Sequence, residues 1–229
     1  YGDILLMPTD SVSFNNGANG KKGYREHFSH ETEVSSPGYY KVHLDSTNID
    51  VELTVTARAG MHKYTYPSSK NQNLILDLEH RDKLLDYGIN IVSEYEVSGF
   101  RSSDAWAKDQ RLFYYMKFSK PFKNAIRDSE TEPKKESFEF VNPSNDPVYV
   151  SIGISAVDEE GARRNMSAEI GNKSFEQLKH EAEITWEKQL EKVIIESPNE
   201  DYKSIFYTAL YHTMLAPNLY QDVDGRYRG

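Results

Sequence analysis

The feature that most constrains this chain is a change in the period of its apolar residues. Up to about residue 157, short runs alternate apolar and polar residues, and residues 51–58 alternate over eight positions. Such alternation indicates strands with one buried and one solvated face. Eight or more short strands separated by turn residues predict a mainly β fold, an antiparallel β-sandwich. The predicted strands are residues 39–44, 51–58, 61–66, 73–78, 89–97, 112–118, 137–141 and 148–154.

After about residue 166 the spacing becomes helical. Ser174 and Gln177 form a predicted capping box, in which each side chain bonds the other residue's backbone N–H. Apolar residues at 178, 182, 186, 190 and 193 then lie on one helical face. A second capping box is predicted at residues 197–200, with proline at the first helical position. The helix that it begins is expected to end before Pro217.

These patterns predict three regions: a sandwich over 1–165, a helical linker over 166–197, and the first helix and loop of a truncated helical domain over 198–229. Residues 123–137 are charge-rich and are predicted to form a solvated loop. The last helix carries apolar side chains that have no helical partner in the sequence. We therefore expect the chain to be a piece of a larger protein, cut at both ends.

Composition excludes several classes of function. The formal charge of −9 and the pI near 5.3 argue against a nucleic-acid backbone or an anionic membrane surface as the partner. No run of apolar residues is long enough to predict a membrane span. The absence of cysteine excludes disulfides, thiolate catalysis and cysteine-based zinc sites.

Two histidine motifs are candidate sites. His30 and Glu31 precede a predicted strand and suit a sugar or metal ligand group. Because no second histidine stands at ligand spacing, a turn that satisfies its own polar groups is the favoured interpretation. His80, Arg81 and Asp82 follow a buried strand, where functional side chains are often found. They either bond sugar hydroxyls or form an exposed ion pair of small energy, and the sequence leaves both open.

The tryptophans and the last residues give further candidates. Trp106 and Trp186 are both expected to be packed, the former in the core or between layers rather than against a sugar. Residues 222–225 lack the third acidic residue and distal glutamate of a calcium loop, which favours an Asp-Gly turn. Arg226 and Arg228 flank Tyr227, an arrangement suited to orienting hydroxyl or carboxylate groups.

Several strings in order along the chain resemble one family, the calcium-dependent exo-α-mannosidases of glycoside hydrolase family 92. No single string is diagnostic, but the ordered set covers the whole chain. The strings are GDILLMPT (2–9), FSHETE (28–33), PGYY (37–40), ELT (52–54), RAGMH (58–62), LDLEHRD (76–82), KFSKPF (117–122), FYTALYH (206–212) and DGRYRG (224–229).

The resemblance implies a sandwich, a helical linker and an (α/α)₆ barrel that holds most of the active site. It implies an inverting mechanism, in which one carboxylic acid protonates the leaving oxygen and a carboxylate activates water. Calcium, a mannose-containing glycan and a periplasmic or cell-surface location are implied in the same way. The catalytic and calcium-binding residues are expected in the barrel, so no catalytic or metal residue is assigned here. The candidate substrate or interface residues are Tyr1, His30, Glu31, His80, Arg81, Asp82, Asp224, Arg226, Tyr227 and Arg228.

Two other classes of function remain open. A stand-alone carbohydrate-binding sandwich would bind mannosides by itself, whereas an enzyme piece would need the barrel for activity. A structural sandwich from an unrelated surface protein is disfavoured by the ordered strings. The family's Ser-Gly-Thr-Gly-containing loop, expected before Tyr1, and the barrel, expected after Gly229, are both missing from the sequence.

Overall fold

The computed structural model describes residues 3–68 and 70–229, apart from the side chain of Asn19. Within that part, the chain forms twelve strands followed by three helices. The strands are β1 (Leu5–Thr9), β2 (Val34–Ser36), β3 (Tyr39–Leu44), β4 (Ile49–Val55), β5 (Ala59–Thr65), β6 (Asn73–Asp77), β7 (Lys83–Ser93), β8 (Glu96–Asp104), β9 (Gln110–Phe118), β10 (Phe122–Arg127), β11 (Lys135–Phe140) and β12 (Val148–Ser155). The helices are α1 (Glu159–Glu169), α2 (Phe175–Leu190) and α3 (Glu200–Thr213).

The strands form two antiparallel sheets. The smaller has the order β1-β6-β11-β10, and the larger has the order β2-β3-β4-β5-β12-β9-β8-β7. Their facing sides enclose the main core, so the predicted mainly β sandwich is confirmed. Aromatic rings fill its centre, with Phe138 at 5.4 Å from Phe118 and 5.0 Å from Phe122 between ring centroids.

Helices α1 and α2 cover the outer face of the larger sheet. Met61 and Tyr115 of that face are buried with Met166 and Leu178 of the helices. The close approach depends on Gly153 in β12, where a Cβ would stand 2.1 Å from a carbonyl oxygen of α1. Only glycine leaves room for the helix backbone at this distance.

Three predictions in the sandwich need correction. Residues 89–97 do not form one strand but cross a hairpin, because β7 ends at Ser93 and β8 begins at Glu96. The stretch 123–137 is not all loop, because β10 occupies its start and β11 its end. Strand β10 is a sheet edge with mostly exposed side chains, which hides the apolar alternation that a half-buried strand shows. The alternating run 51–58 is shorter than predicted, since β4 ends at Val55.

The helix caps are partly as predicted. The capping box of Ser174 and Gln177 is confirmed. The box predicted at residues 197–200 is wrong, because Asn199 caps α3 by accepting a hydrogen bond from the Asp201 amide at 2.9 Å. Helix α1 was not predicted. Its N-cap is Asp158, whose carboxylate accepts a hydrogen bond from the Gly161 amide at 2.6 Å. The helix runs through residue 165, the predicted end of the sandwich.

Helix α3 lies apart from the sandwich and has no buried residue. It contacts α2 through Tyr211, whose ring meets Trp186 edge-on at 4.7 Å. The Tyr207 hydroxyl donates to the carbonyl of Val193, just after α2, at 3.2 Å. Tyr202 and Ile205 remain 65% exposed each. The side of α3 that carries Tyr202 and Ile205 is therefore open. The expectation that α3 has no helical partner is wrong for Tyr211, which packs on α2. Trp186 packs as expected.

Candidate functional site

The candidate site lies at one end of the sandwich, which we call the loop end. Strand register places the ends of β6, β8 and β12 there, together with the beginnings of β7 and β9. Residues 221–228, here the C-terminal segment, run along this end. Loops gathered on a rigid sheet are a common position for binding groups. Seven of the ten candidate residues lie on these loops.

Asp222 anchors the C-terminal segment from within. Its side chain is 5% exposed and accepts hydrogen bonds from the Ser155 hydroxyl and the Asn165 amide, both at 2.8 Å. The side-chain oxygen of Asn165, Oδ1, accepts a hydrogen bond from the Val223 backbone N–H at 2.9 Å. A turn closes over these contacts, with Gly225 at φ 87° and its N–H donating to the Asp222 carbonyl. The predicted Asp-Gly turn is therefore present.

Arg226 links this turn to the beginning of α1. Its guanidinium donates two hydrogen bonds to Asp158, at 2.6 and 3.1 Å, and one to Asp224 at 2.8 Å. Hydrogen bonds from Arg226 hold the pKa of the Asp158 carboxyl below its usual range, and the two carboxylates raise the pKa of Arg226. Arg164 of α1 adds a second cation at 3.2 Å from Asp224. Both carboxylates are therefore ionised and committed to arginine at neutral pH.

Arg228 joins the C-terminal segment to the β8–β9 loop. It donates to the Asp109 carboxylate at 2.8 Å and to the Asp109 carbonyl at 3.1 Å. The hydrogen bond from Arg228 lowers the pKa of Asp109, with a smaller contribution from Ser102. The neighbouring Tyr227 is 67% exposed. Two arginines thus hold the segment, while the aromatic between them faces solvent.

The β6–β7 loop carries the second group of candidates. His80 is bonded through Nδ1 to the Asp77 carbonyl at 3.0 Å. Arg81 and Asp82 form an ion pair of 3.5 Å with the arginine half-exposed, so its contribution to stability is small. Asp82 adopts φ 58°, a left-handed conformation that Asp tolerates better than most residues. The loop end thus brings His80–Asp82 to the same side of the molecule as Arg228.

Three candidates are not part of this site. His30 is exposed and lies at 2.5 Å from Glu33, while the Glu31 amide donates to Ser29 at 3.2 Å. They precede β2, which is six strands from β8, roughly 25–30 Å at the usual strand spacing. The motif is a turn that satisfies its own polar groups. Tyr1 lies outside the described residues.

Trp106 corrects another expectation. It stands in the β8–β9 loop with 88% of its surface exposed, so the predicted core or inter-layer position is wrong. The loop joins two strands at the loop end and extends past the sheets, so no core surrounds its side chains.

An apolar groove of about 310 Å³ opens beside the C-terminal segment. Burial lowers the pKa of His62 in its lining to about 4, so this imidazole is neutral at pH 7, and its Nδ1 is hydrogen-bonded with the Tyr64 hydroxyl at 2.7 Å. Arg58 at the rim donates to the Gln221 carbonyl at 2.5 Å. The apolar lining comprises Ile4, Val55, Leu112, Ile152 and Ile154.

Three acidic residues at the loop end, Asp109, Asp158 and Asp224, are each bonded to arginine. These three carboxylates are therefore poorly suited to proton transfer. Across residues 3–68 and 70–229, no three His, Asp or Glu side chains form a group that could hold a metal ion. Sequence reasoning found the arginines but missed Asp109, Asp158 and Asn165, because their partners are 57 to 119 residues away.

Glu136 of β11 lies inside the sandwich near this end and is fully buried. One carboxylate oxygen accepts from the half-exposed Arg127 at 3.3 Å, and within the described residues the other has no hydrogen-bond partner. Burial raises the pKa of Glu136, against the opposing effect of Arg127. An unfolded chain therefore loses this proton at lower pH than the folded one, so Glu136 favours folding less as the pH rises through its folded pKa.

We predict that Glu136→Gln becomes progressively more stable relative to the wild type as the pH rises from 4 to 8. Glu139→Gln is the matched control, because hydrogen bonds from Lys123 and Asn124 lower the pKa of Glu139. That variant should lose stability relative to the wild type only up to about pH 5, where the carboxyl is ionised in both states, and stay level above it. Urea unfolding across this range measures both trends, and parallel curves for the two variants would contradict the assignment.

Both parts of the chain, the sandwich and the helices after it, match known protein families. Residues 1–155 match the model of the glycosyl hydrolase family 92 N-terminal domain, and residues 161–229 match that of the family 92 catalytic domain. No curated protein sequence matches the chain. Among the described helices, none has the length and apolarity that a membrane crossing requires.

Solved structures share the fold. The family GH92 α-mannosidase BT3965 from Bacteroides thetaiotaomicron is 27% identical with a TM-score of 0.87, over 100% of this chain and 34% of its own. The GH92 glycosyl hydrolase ccman5 gives 22% identity and a TM-score of 0.87, over 100% and 34%. The GH92 inverting mannosidase BT2199 from Bacteroides thetaiotaomicron VPI-5482 gives 19% and 0.83, over 98% and 31%. The chain spans about a third of the length of these structures.

Proposed function

The chain belongs to glycosyl hydrolase family 92, and we infer from this that it is part of an α-mannosidase that removes terminal mannose from glycans. The observation that carries the proposal is the match of two adjacent ranges to the two domains of one family, in order. The likeness to a solved α-mannosidase at 27% identity over the whole chain supports it. We propose exo-action with inversion, as the family resemblance implies.

In this proposal, the residues of this chain provide neither the catalytic acid nor the catalytic base. An inverting glycosidase needs one carboxyl group as acid and another as base, about 6.5–9.5 Å apart across the scissile bond. Asp224 of the C-terminal segment and Asp158 at the start of α1 do not suit either role, because both are bonded to Arg226. We propose that the acid and the base both lie in the remainder of the catalytic domain.

Calcium does not fit the part of the chain that the structure describes. Its usual ligands are six to eight oxygens, largely carboxylates and carbonyls. The buried Asp222 is already bonded to Ser155 and Asn165, and the neighbouring carboxylates are neutralised by arginine. The proposed calcium dependence would therefore rest on ligands elsewhere in the protein.

The proposed partner of helix α3 is the remainder of the same catalytic domain. The catalytic-domain match begins at residue 161, and the solved relatives are about three times as long as this chain. The exposed Tyr202 and Ile205 give α3 an apolar face that stays open here. Packing of further helices of the (α/α)₆ barrel on that face would remove it from water.

We predict that this chain alone shows no hydrolysis of α-1,2-linked mannobiose, with calcium or with a chelator. A longer protein that includes the whole catalytic domain should release mannose, and the chelator should abolish its activity. Released mannose measured by an enzyme-coupled assay gives the answer. Turnover by the chain alone would place a complete site within these residues and contradict the proposal.

The alternative is a carbohydrate-binding sandwich without catalysis. The exposed Trp106 is the observation that favours it, because an open indole can stack on a sugar face. Calorimetric titration of the chain with mannobiose separates the two functions. Saturable binding that Trp106→Ala abolishes, together with an inactive longer protein, would support the alternative.

A further inference from the structure

Arg101 is a fully buried arginine at the loop end, and it lies on β8. Its Nε donates to the Leu78 carbonyl at 2.7 Å, and one terminal nitrogen donates to the Asp3 carboxylate at 3.1 Å. The other terminal nitrogen donates to the Arg81 carbonyl. One side chain therefore bonds both ends of the segment 78–81 and the chain at Asp3.

The same contacts extend to the C-terminal segment. The second carboxylate oxygen of Asp3 accepts from the Gln110 side chain at 2.8 Å. Gln110 begins β9 and directly follows Asp109, the residue bonded by Arg228. We call Arg101, Asp3 and Gln110 the Arg101 clamp. It connects the β6–β7 loop, the segment before β1 and the β8–β9 loop in one hydrogen-bonded unit.

The energetics of the Arg101 clamp indicate that it fixes the position of a loop more than it stabilises the fold. A buried ion pair gains little net stability, because the cost of removing both charges from water offsets their attraction. Apolar residues of similar volume often stabilise a core as well or better. The planar guanidinium instead fixes several acceptors in one fork, which a lysine cannot reproduce. What the fork fixes here is the loop that carries His80 and Arg81.

We propose that Arg101 is a positioning residue for substrate binding. By holding the segment 78–81 against Asp3, it keeps His80 and Arg81 in place at the loop end, where the C-terminal segment is bonded. There they contact the glycan beyond the reacting bond, so their displacement weakens binding rather than proton transfer. The inference rests on the proposed mannosidase function.

The test uses the full-length enzyme with Arg101→Lys, which keeps the charge but loses the fork. We expect kcat/KM for mannobiose to fall roughly 10- to 100-fold, as displacement of a binding group by about 1 Å does. The loss should lie in KM, with kcat nearly unchanged. Hydrogen exchange should increase at residues 78–82. Asp3→Asn, a milder change, should shift both readouts in the same direction to a smaller extent.

Tyr66→Phe is the matched control. It removes a buried hydrogen bond, from the Tyr66 hydroxyl to the Asn73 carbonyl at 2.7 Å, at the opposite end of the sandwich. It should lower stability without changing KM or the exchange of residues 78–82. Arg101→Lys kinetics that match this control overturn the inference. If Arg101→Lys fails to fold, Asp3→Asn decides the question: an unchanged KM overturns the inference and a raised KM supports it.

The two proposals fail in different ways. A wild-type enzyme without activity on any α-mannoside would refute the proposed function. In that case, hydrogen exchange at residues 78–82 would still show whether Arg101 holds this loop, because the measurement needs no turnover. An active wild type whose Arg101→Lys variant keeps its KM would refute only the positioning role.

Discussion

Replacing Phe138 by alanine is expected to lower the free energy of unfolding by about 3–5 kcal/mol, the usual cost of removing a buried aromatic ring. The ring is fully buried, and its contact with Phe118 connects the two sheets, while Phe122 packs beside it within the smaller sheet. Truncation removes apolar area from the core and leaves a cavity that rigid β-sheets do not close.

Urea unfolding followed by fluorescence measures the Phe138→Ala effect, and the slope of the transition should stay unchanged. Phe28→Ala is the control, because Phe28 is 46% exposed and its truncation should cost within about 0.5 kcal/mol. A loss below about 1 kcal/mol for Phe138→Ala would mean that the sheets repack around the site. That result would contradict the core described here.

Strands with one buried face could be predicted from sequence, and edge elements could not. Alternation identified β3, whose buried Val42 and Leu44 stand two positions apart with His43 between them less buried. The β7–β8 hairpin was missed because its turn, Glu94–Tyr95, contains neither glycine nor proline. A glycine within a strand need not mark a turn. Gly99 lies within β8, where a Cβ would stand 2.0 Å from the Gly88 carbonyl, so the glycine serves close backbone approach.

The candidate site was likewise predicted from the sequence only in part. Arg226 and Arg228 were predicted from their own chemistry, since guanidinium groups around an aromatic suggest binding of polar groups. Their partners Asp158 and Asp109 lie 68 and 119 residues away, so only the fold brings them together. Arg101 gave no signal for the same reason, because its partner Asp3 is 98 residues distant.

Asn165→Ala should release the C-terminal segment and destabilise the chain by about 3 kcal/mol, because it leaves several buried polar groups without partners. Asn165 is 1% exposed and bonds the Ile154 carbonyl, the Asp222 carboxylate and the Val223 amide. Its loss leaves the Asp222 charge buried with Ser155 as its closest remaining donor. The cost of that buried charge drives the segment off the sandwich.

Limited proteolysis and amide exchange at Val223 measure the release. Asn90→Ala is the control: Asn90 also bonds α1, through Glu159 at 3.1 Å, but the contact is exposed and should cost within about 0.5 kcal/mol. If Asn165→Ala leaves Val223 protected, the contacts of Arg58, Arg226 and Arg228 are enough to hold the segment. If both the protection of Val223 and the stability of the chain fall, the buried contact between Asp222 and Asn165 holds the C-terminal segment on the sandwich. The surface ion pairs of Arg226 and Arg228 then depend on that contact.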